Sequence, residues 1–310
     1  MIAFALLALL VAASALIAWL ARNRSPSLTD DAWSALVDPH RRDVVLEGGV
    51  TMHCIDLGSG EPVVLIHGIG DSAYSWRQNA HFLVGAGFRV ILVDQPGFGR
   101  SAIPPRGWSY SVENQAEAIL GTVDRLGIGE FNIVAHSLGG GEALYLATAH
   151  SDRVIRLAVI SPVSQRTPCP FGLMTDLLVW VIGVRRFTAL ALRSAYFRPE
   201  KVSDVQIDEY ARPLARPGRL GSGVLGGVCR DYFSHAYDRM AESYRGLRAK
   251  LLIIWGEQDT WHPVAFGERL HSLVVGSRLE LIPEAGHNVH QEGADLVNPL
   301  LARFLGAPVV

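Results

Sequence analysis

Three cysteines in 310 residues, none in a C-x-x-C pair, leave this chain without a thiolate zinc site and without an evident disulfide framework. Cys54, Cys169 and Cys229 are odd in number and widely spaced, and Cys54 falls in an apolar run where it reads as a small buried hydrophobe. The eleven histidines form no H-E-x-x-H or H-x-x-E-H pairing, so no metal is expected. No G-x-G-x-x-G follows the first strand-like run. Gly97-Phe98-Gly99 lacks both the third glycine and a following helix, which argues against a dinucleotide cofactor. An excess of positive charge is also missing: the formal net charge is −2, with no basic cluster interleaved with aromatics, so nucleic acid is not an expected partner. Repeats and low-complexity tracts are absent. Any chemistry must come from the chain's own side chains, with no cofactor.

What the chain does contain is a series of uninterrupted apolar runs, such as Val63-Val64-Leu65-Ile66 and Val90-Ile91-Leu92-Val93, alternating with helix-prone stretches. Strands buried on both faces read this way, so the expected fold is α/β, a mostly parallel, doubly wound sheet. Before it, residues 43–47 and 50–55, joined by Gly48-Gly49, read as a hairpin at the sheet edge. The alternation stops after residue 160. About eighty residues that follow read as helices and loops, the expected place for an inserted cap.

Ala135-His136-Ser137-Leu138-Gly139-Gly140 follows one of the apolar runs and leads into a helix-prone segment. A serine held between a strand end and a helix start needs small neighbours, because the turn is sharp and other backbones pass close to it. Such a turn lifts the hydroxyl clear of the sheet. It also puts the Leu138 N–H at a helix N-terminus, where unpaired donors and the helix dipole can stabilise an oxyanion. Ala135 stands where the common pattern has glycine, and the bare pentapeptide taken alone reads more readily as a plain strand–turn–helix.

Serine chemistry needs a base, a carboxylate to orient it and a second oxyanion donor. Each has a candidate at another strand end: His67-Gly68-Ile69-Gly70, whose Ile69 N–H can face a substrate oxygen; Gly256-Glu257-Gln258-Asp259; and Glu284-Ala285-Gly286-His287. The chain order is Ser, Asp, His. On these motifs, and on Asp94-Gln95-Pro96-Gly97-Phe98-Gly99-Arg100-Ser101, the chain resembles a serine α/β hydrolase of the capped esterase/lipase type over roughly residues 42–305. The resemblance implies Ser137 as nucleophile, Asp259 as acid, His287 as base, and Ile69 and Leu138 as oxyanion donors. Its pattern favours Asp259 over Glu257, and a serine at the elbow sets aside the family's epoxide hydrolases and haloalkane dehalogenases, which use aspartate there. His67, His136, His262, His290 and Asp94 read as scaffold, with His290 opening the final helix. Substrate-binding residues are not identified.

The implied reaction is hydrolysis of a carboxylic ester, lipophilic or a thioester among the options, through an acyl-enzyme. A carbon–carbon bond hydrolase, an acyltransferase, a cofactor-free haloperoxidase and a non-catalytic ligand-binding member remain alternatives; His136 before the serine is more like esterases and lipases. Residues 1–21 carry no charge and precede Arg22 and Arg24, so they read as a transmembrane anchor with the catalytic domain on the cytoplasmic side, or alternatively as a signal cleaved on export. The partners expected are thus a small-molecule or lipid ester and, through residues 1–21, a membrane. The domains divide into that segment, a linker over 22–41, a core over 42–161 and 246–310, and a helical cap over 162–245. The apolar stretch 173–182 within the cap reads as a buried helix, with an acyl-pocket lid as its alternative.

Overall fold

The apolar runs become strands and the segments between them helices. A computed structural model of the chain describes residues 31–167, 169, 174–218, 223–233 and 241–307. Its strands are β1 (Arg41–Val45), β2 (Thr51–Leu57), β3 (Pro62–Ile66), β4 (Arg89–Asp94), β5 (Phe131–His136), β6 (Val154–Ile160), β7 (Lys250–Gly256) and β8 (Arg278–Ile282). They form one sheet in the order β1-β2-β4-β3-β5-β6-β7-β8. The first two pairings, β1 with β2 and β2 with β4, are antiparallel; all the others are parallel. The hairpin expected around Gly48-Gly49 is therefore the sheet edge.

The helices are α1 (Asp31–Val37), α2 (Arg77–Gly85), α3 (Val112–Arg125), α4 (Leu138–Ala149), α5 (Met174–Ile182), α6 (Val184–Ser194), α7 (Asp204–Leu214), α8 (Val224–Asp231), α9 (Val264–Leu273), α10 (Val289–Glu292) and α11 (Ala294–Leu305). Alternate strand residues feed two core layers, which is why the runs are apolar throughout. Val63, Leu65, Val90, Leu92 and Val134 pack with Ala80 and Leu83 of α2 and with Val297, Leu301 and Leu305 of α11. Val64, Ile66, Ile91, Val93 and Ile133 pack on the other face with Ile119 and Val123 of α3, Leu144 of α4 and Leu270 of α9. The start of α3 is fixed by Ser111, whose side chain accepts from the Asn114 N–H, and its buried positions Val112, Ala116, Ile119 and Val123 recur at helical spacing.

Three expectations are corrected. The membrane-anchored localisation, with its cytoplasmic orientation or export as the alternative, does not stand: no helix among the described residues is long and apolar enough to cross a membrane. The longest of them, α3, has 14 residues, hence a length of about 21 Å against the ~30 Å of a bilayer core; the segment 1–21 itself, with the N-terminal apolar helix expected there, lies outside the described residues. Cys169 and Cys229 form a disulfide with a Cα–Cα distance of 5.4 Å; 60 residues separate them in sequence, so spacing alone concealed a pairing made by the fold. Helix α5 is not buried throughout. Leu177, Leu178, Trp180 and Val181 are exposed, and its neighbour α6 supplies the apolar wall of the cavity described below.

At Gly256, where β7 ends, an added Cβ would fall on the carbonyl oxygens of Ala285 and Gly286. Gly256→Ala is expected to destabilise by about 1–3 kcal/mol through this backbone clash. Gly129→Ala, with nothing within 4 Å of the new methyl, is the neutral control, and urea midpoints of the two variants check the difference.

Candidate active site

Ser137 lies between β5 and α4 with φ 51° and ψ −115°, a strained conformation for a residue with a side chain. Its backbone is held on both sides: the N–H donates to Ile160 O at 3.0 Å, and the carbonyl accepts from Gly140 N at 3.0 Å and Val163 N at 2.8 Å. The turn tolerates no bulk on its helical side. A Cβ on Gly139 would sit 2.5 Å from His67 O, and one on Gly140 2.5 Å from Pro162 Cβ.

His287 Nε2 is 2.9 Å from Ser137 Oγ, and His287 Nδ1 is 2.8 Å from Asp259 Oδ2. With Nδ1–H donated to the carboxylate, Nε2 is left to accept the serine hydroxyl proton. The second Asp259 oxygen, Oδ1, accepts from the Trp261 and His262 amides at 2.9 and 2.8 Å. Burial works against a charged Asp259, yet His287 and these donors outweigh it and hold the carboxyl below its usual range. Glu257 is exposed, whereas Asp259 is buried against the imidazole.

Three further histidines surround His287. His136 and His262 have ring centroids 4.9 and 4.7 Å from it, and His290 lies 4.4 Å from His136. Burial pushes His136 and His290 well below the ordinary imidazole range and His262 to about 4. Neutral neighbours do not repel the charge that His287 acquires when it takes a proton. His290 does not open the final helix: it sits in the separate turn α10, with both ring nitrogens buried and unpartnered. His67 and Asp94 are structural. His67 Nε2 accepts from Gln95 N, and Asp94 accepts from the Ala73 and Arg100 amides.

Of the two oxyanion candidates, Leu138 is the first residue of α4, so its N–H has no intrahelical acceptor. Ile69 follows Gly68, where an added Cβ would lie only 3.2 Å from Ser137 Cβ, so the β3 turn passes directly beside the serine. Ile69, Ser137 and His287 line one cavity that is open in part to solvent. Phe187, Ala191 and Leu192 of α6, Leu214 and Leu225 give it apolar walls.

Several residues around this cavity carried no signal in the sequence. Trp261 stacks on His287 at 5.2 Å and 22°. Ala195, just after α6, accepts from the His287 N–H at 2.7 Å. Glu292 accepts from the amides of Gly286, Phe197 and Arg198, binding the same two segments together. Asp71, buried on the cavity wall, accepts from Ser72 N at 2.6 Å and from the Tyr210 phenol. Asp71, His136 and His290 each bring one polar atom within 4.8 Å of the others.

The sheet, the strand-end turns and the helices on both faces define a class: the chain belongs to the α/β hydrolase fold family and is a hydrolase. The family's sequence pattern is matched over residues 61–182. Among its relatives, the 2-hydroxy-6-oxononadienedioate/2-hydroxy-6-oxononatrienedioate hydrolase of Escherichia coli is 30% identical over 287 residues, covering 85% of this chain and 94% of its own. The structure of the meta-cleavage product hydrolase CumD of Pseudomonas fluorescens superposes with a TM-score of 0.71 at 27% identity, over 85% of this chain and 96% of that one. An enol-lactonase of Burkholderia xenovorans shares the fold at 20% identity, with a TM-score of 0.73 over 85% of this chain and 99% of its own.

Burial raises the Asp71 carboxyl from 3.8 to about 7. Between those values the unfolded chain gives up a proton that the folded one keeps, so this group's contribution to stability is full below 3.8 and lost as pH rises through about 7. Asp71→Asn should remove that slope. Urea unfolding at a series of pH values is expected to show the variant gaining on the wild type up to about pH 7 and holding the gain beyond it.

Proposed function

We propose that the protein is a serine hydrolase of small, neutral carbonyl compounds, and that the bond it breaks joins the acyl carbon to another carbon. The observation that carries the reading is the Ser137–His287–Asp259 chain of 2.9 and 2.8 Å contacts opening into an apolar cavity. Ser137 Oγ attacks the carbonyl carbon and passes its proton to His287 Nε2, while Asp259 holds the imidazole in register and balances its charge. The negative oxygen is received by the N–H groups of Ile69 and Leu138. His287 then gives its proton to the leaving group, and water repeats the sequence on the acyl-enzyme. The segment 162–245 serves as the cap over this site, and residues 42–161 and 246–310 as its core.

The carbon–carbon reading draws support from the 30% identical hydrolase and from CumD. The former's name specifies a dioate, with two carboxylates. Among the described residues lining this cavity there is no lysine or arginine, and a carboxylate buried without a cation is strongly disfavoured; the substrate of this chain is therefore read as uncharged. Hydrolysis of an apolar carboxylic ester is the second reading, because the same wall of Phe187, Ala191 and Leu192 suits an acyl chain.

Replacing Ser137 or His287 by Ala is expected to lower kcat by about four orders of magnitude or more, with the double variant little worse than either single one. A fluorophosphonate should label the wild type and not Ser137→Ala. Wild-type turnover should fall on acidification, because a protonated imidazole cannot accept the serine proton. Folded Ser137→Ala protein that kept wild-type turnover would overturn the assignment.

A further inference from the structure

A buried carboxyl on a mostly apolar cavity wall calls for an explanation, and the reaction proposed above does not use it. Asp71 stands two residues beyond Ile69 and lines the same cavity as Ser137. It ends a polar chain that crosses the fold: Arg77 Nη1 donates to Gln291 Oε1 at 3.0 Å, Gln291 Nε2 donates to the Tyr210 oxygen at 2.7 Å, and the Tyr210 phenol donates to Asp71. The groups facing Asp71 are Asp94 from the end of β4, Ser72 and Ser75 from the turn after β3, Tyr210 from α7, and His136 and His290 from the end of β5 and from α10. Asp94 opposes its ionisation, both histidines are kept neutral by burial, and Arg77 is connected to it through Gln291 and Tyr210. The result is a carboxylic acid on the cavity wall that holds its proton up to about pH 7.

We propose that the Asp71 carboxyl is the hydrogen-bond donor for a second carbonyl oxygen of the substrate, and hence that the substrate class is the neutral 1,3-diketone, cleaved at the bond between one carbonyl carbon and the carbon that joins the two carbonyls. This rests on the serine reading given above. Breaking a carbon–carbon bond sends its electron pair to the departing carbon, a step that is accessible only if a neighbouring carbonyl takes up the charge as an enolate. In balance, the Ser137 Oγ–acyl bond forms and the serine proton moves to His287. The carbon–carbon bond breaks, and charge develops on the oxygen held by Asp71. The enolate carbon then takes the proton from His287 and leaves as a ketone. Water, activated by the now neutral His287, releases the carboxylic acid. Asp71 keeps its proton throughout and acts by stabilising charge that an ester leaving group does not place there.

The test compares two substrates, 1-phenyl-1,3-butanedione and p-nitrophenyl butyrate, on the full chain. Wild type should hydrolyse both, and diketone turnover alone should fall as the pH passes about 7, where Asp71 ionises. Asp71→Ala should lower the diketone-to-ester ratio of kcat by about 100-fold, the loss typical of one removed oxyanion donor. Asp71→Asn, whose amide still donates, should recover most of that ratio and abolish the alkaline fall. Equal losses on both substrates in both variants would mean that Asp71 only braces Tyr210, and would overturn the proposal. Wild type that turns over the ester but not the diketone would overturn it too, with the serine reading intact. If neither substrate nor a fluorophosphonate reacted, the serine reading would fall and the proposal with it.

Discussion

The strained turn at Ser137 is the constraint around which the rest of the molecule is arranged. A residue with positive φ persists only where its surroundings leave it no alternative, and here the backbone of Ser137 is tied to Ile160, Gly140 and Val163 at once. Parallel pairing then does the aligning. Ile66 stands opposite Ala135, His136 opposite Ile160, Ile160 opposite Ile254, and Gly256 opposite Ile282. The chain ends of β3, β5, β7 and β8 therefore emerge along one edge, and the turns they feed meet within hydrogen-bonding distance. Closeness at that edge excludes side chains, which is why Gly68, Gly139, Gly256 and Gly286 all lie where a Cβ would strike neighbouring backbone or ring atoms.

The electrostatics follow from the same crowding. Four imidazoles packed together could carry a large positive charge, but burial holds His136, His262 and His290 neutral. His287 differs in having a buried carboxylate on Nδ1, so a proton arriving at Nε2 meets a partner of opposite sign. Asp259 in turn keeps its charge because Oδ1 and Oδ2 are both occupied by donors.

Much of this was legible in the sequence because the signals are local. Uninterrupted runs such as Leu251-Leu252-Ile253-Ile254 gave the strands, Gly48-Gly49 the edge hairpin, and the small residues about Ser137 the sharp turn. What stayed hidden depends on contacts between distant segments. Trp261 and Ala195 act on His287 from different segments, Cys169 meets Cys229 across 60 residues, and Asp71 resembles any polar turn residue until its burial is known. Helix α5 misled for a related reason: an apolar segment of nine residues reads as core, but Leu177, Leu178, Trp180 and Val181 face solvent while α6 takes the cavity side. Residues 1–21 read as an anchor on length and lack of charge alone.

The segment between β6 and β7 is more than a cover laid over the sheet. Ala195 O holds the amides of His287 and Asn288, and the buried Glu292 carboxylate gathers donors from Phe197, Arg198 and Gly286. An added Cβ at Gly286 would strike the backbone of residues 195–197, so the two stretches touch along their length. Moving this stretch as a rigid body would draw the imidazole away from Ser137, and the position of His287 is therefore set by residues 195–198 as much as by the sheet. The inner sides of α6 and α7 face the same cavity, where Leu192 and Leu214 give apolar surface and Tyr210 stands beside Asp71.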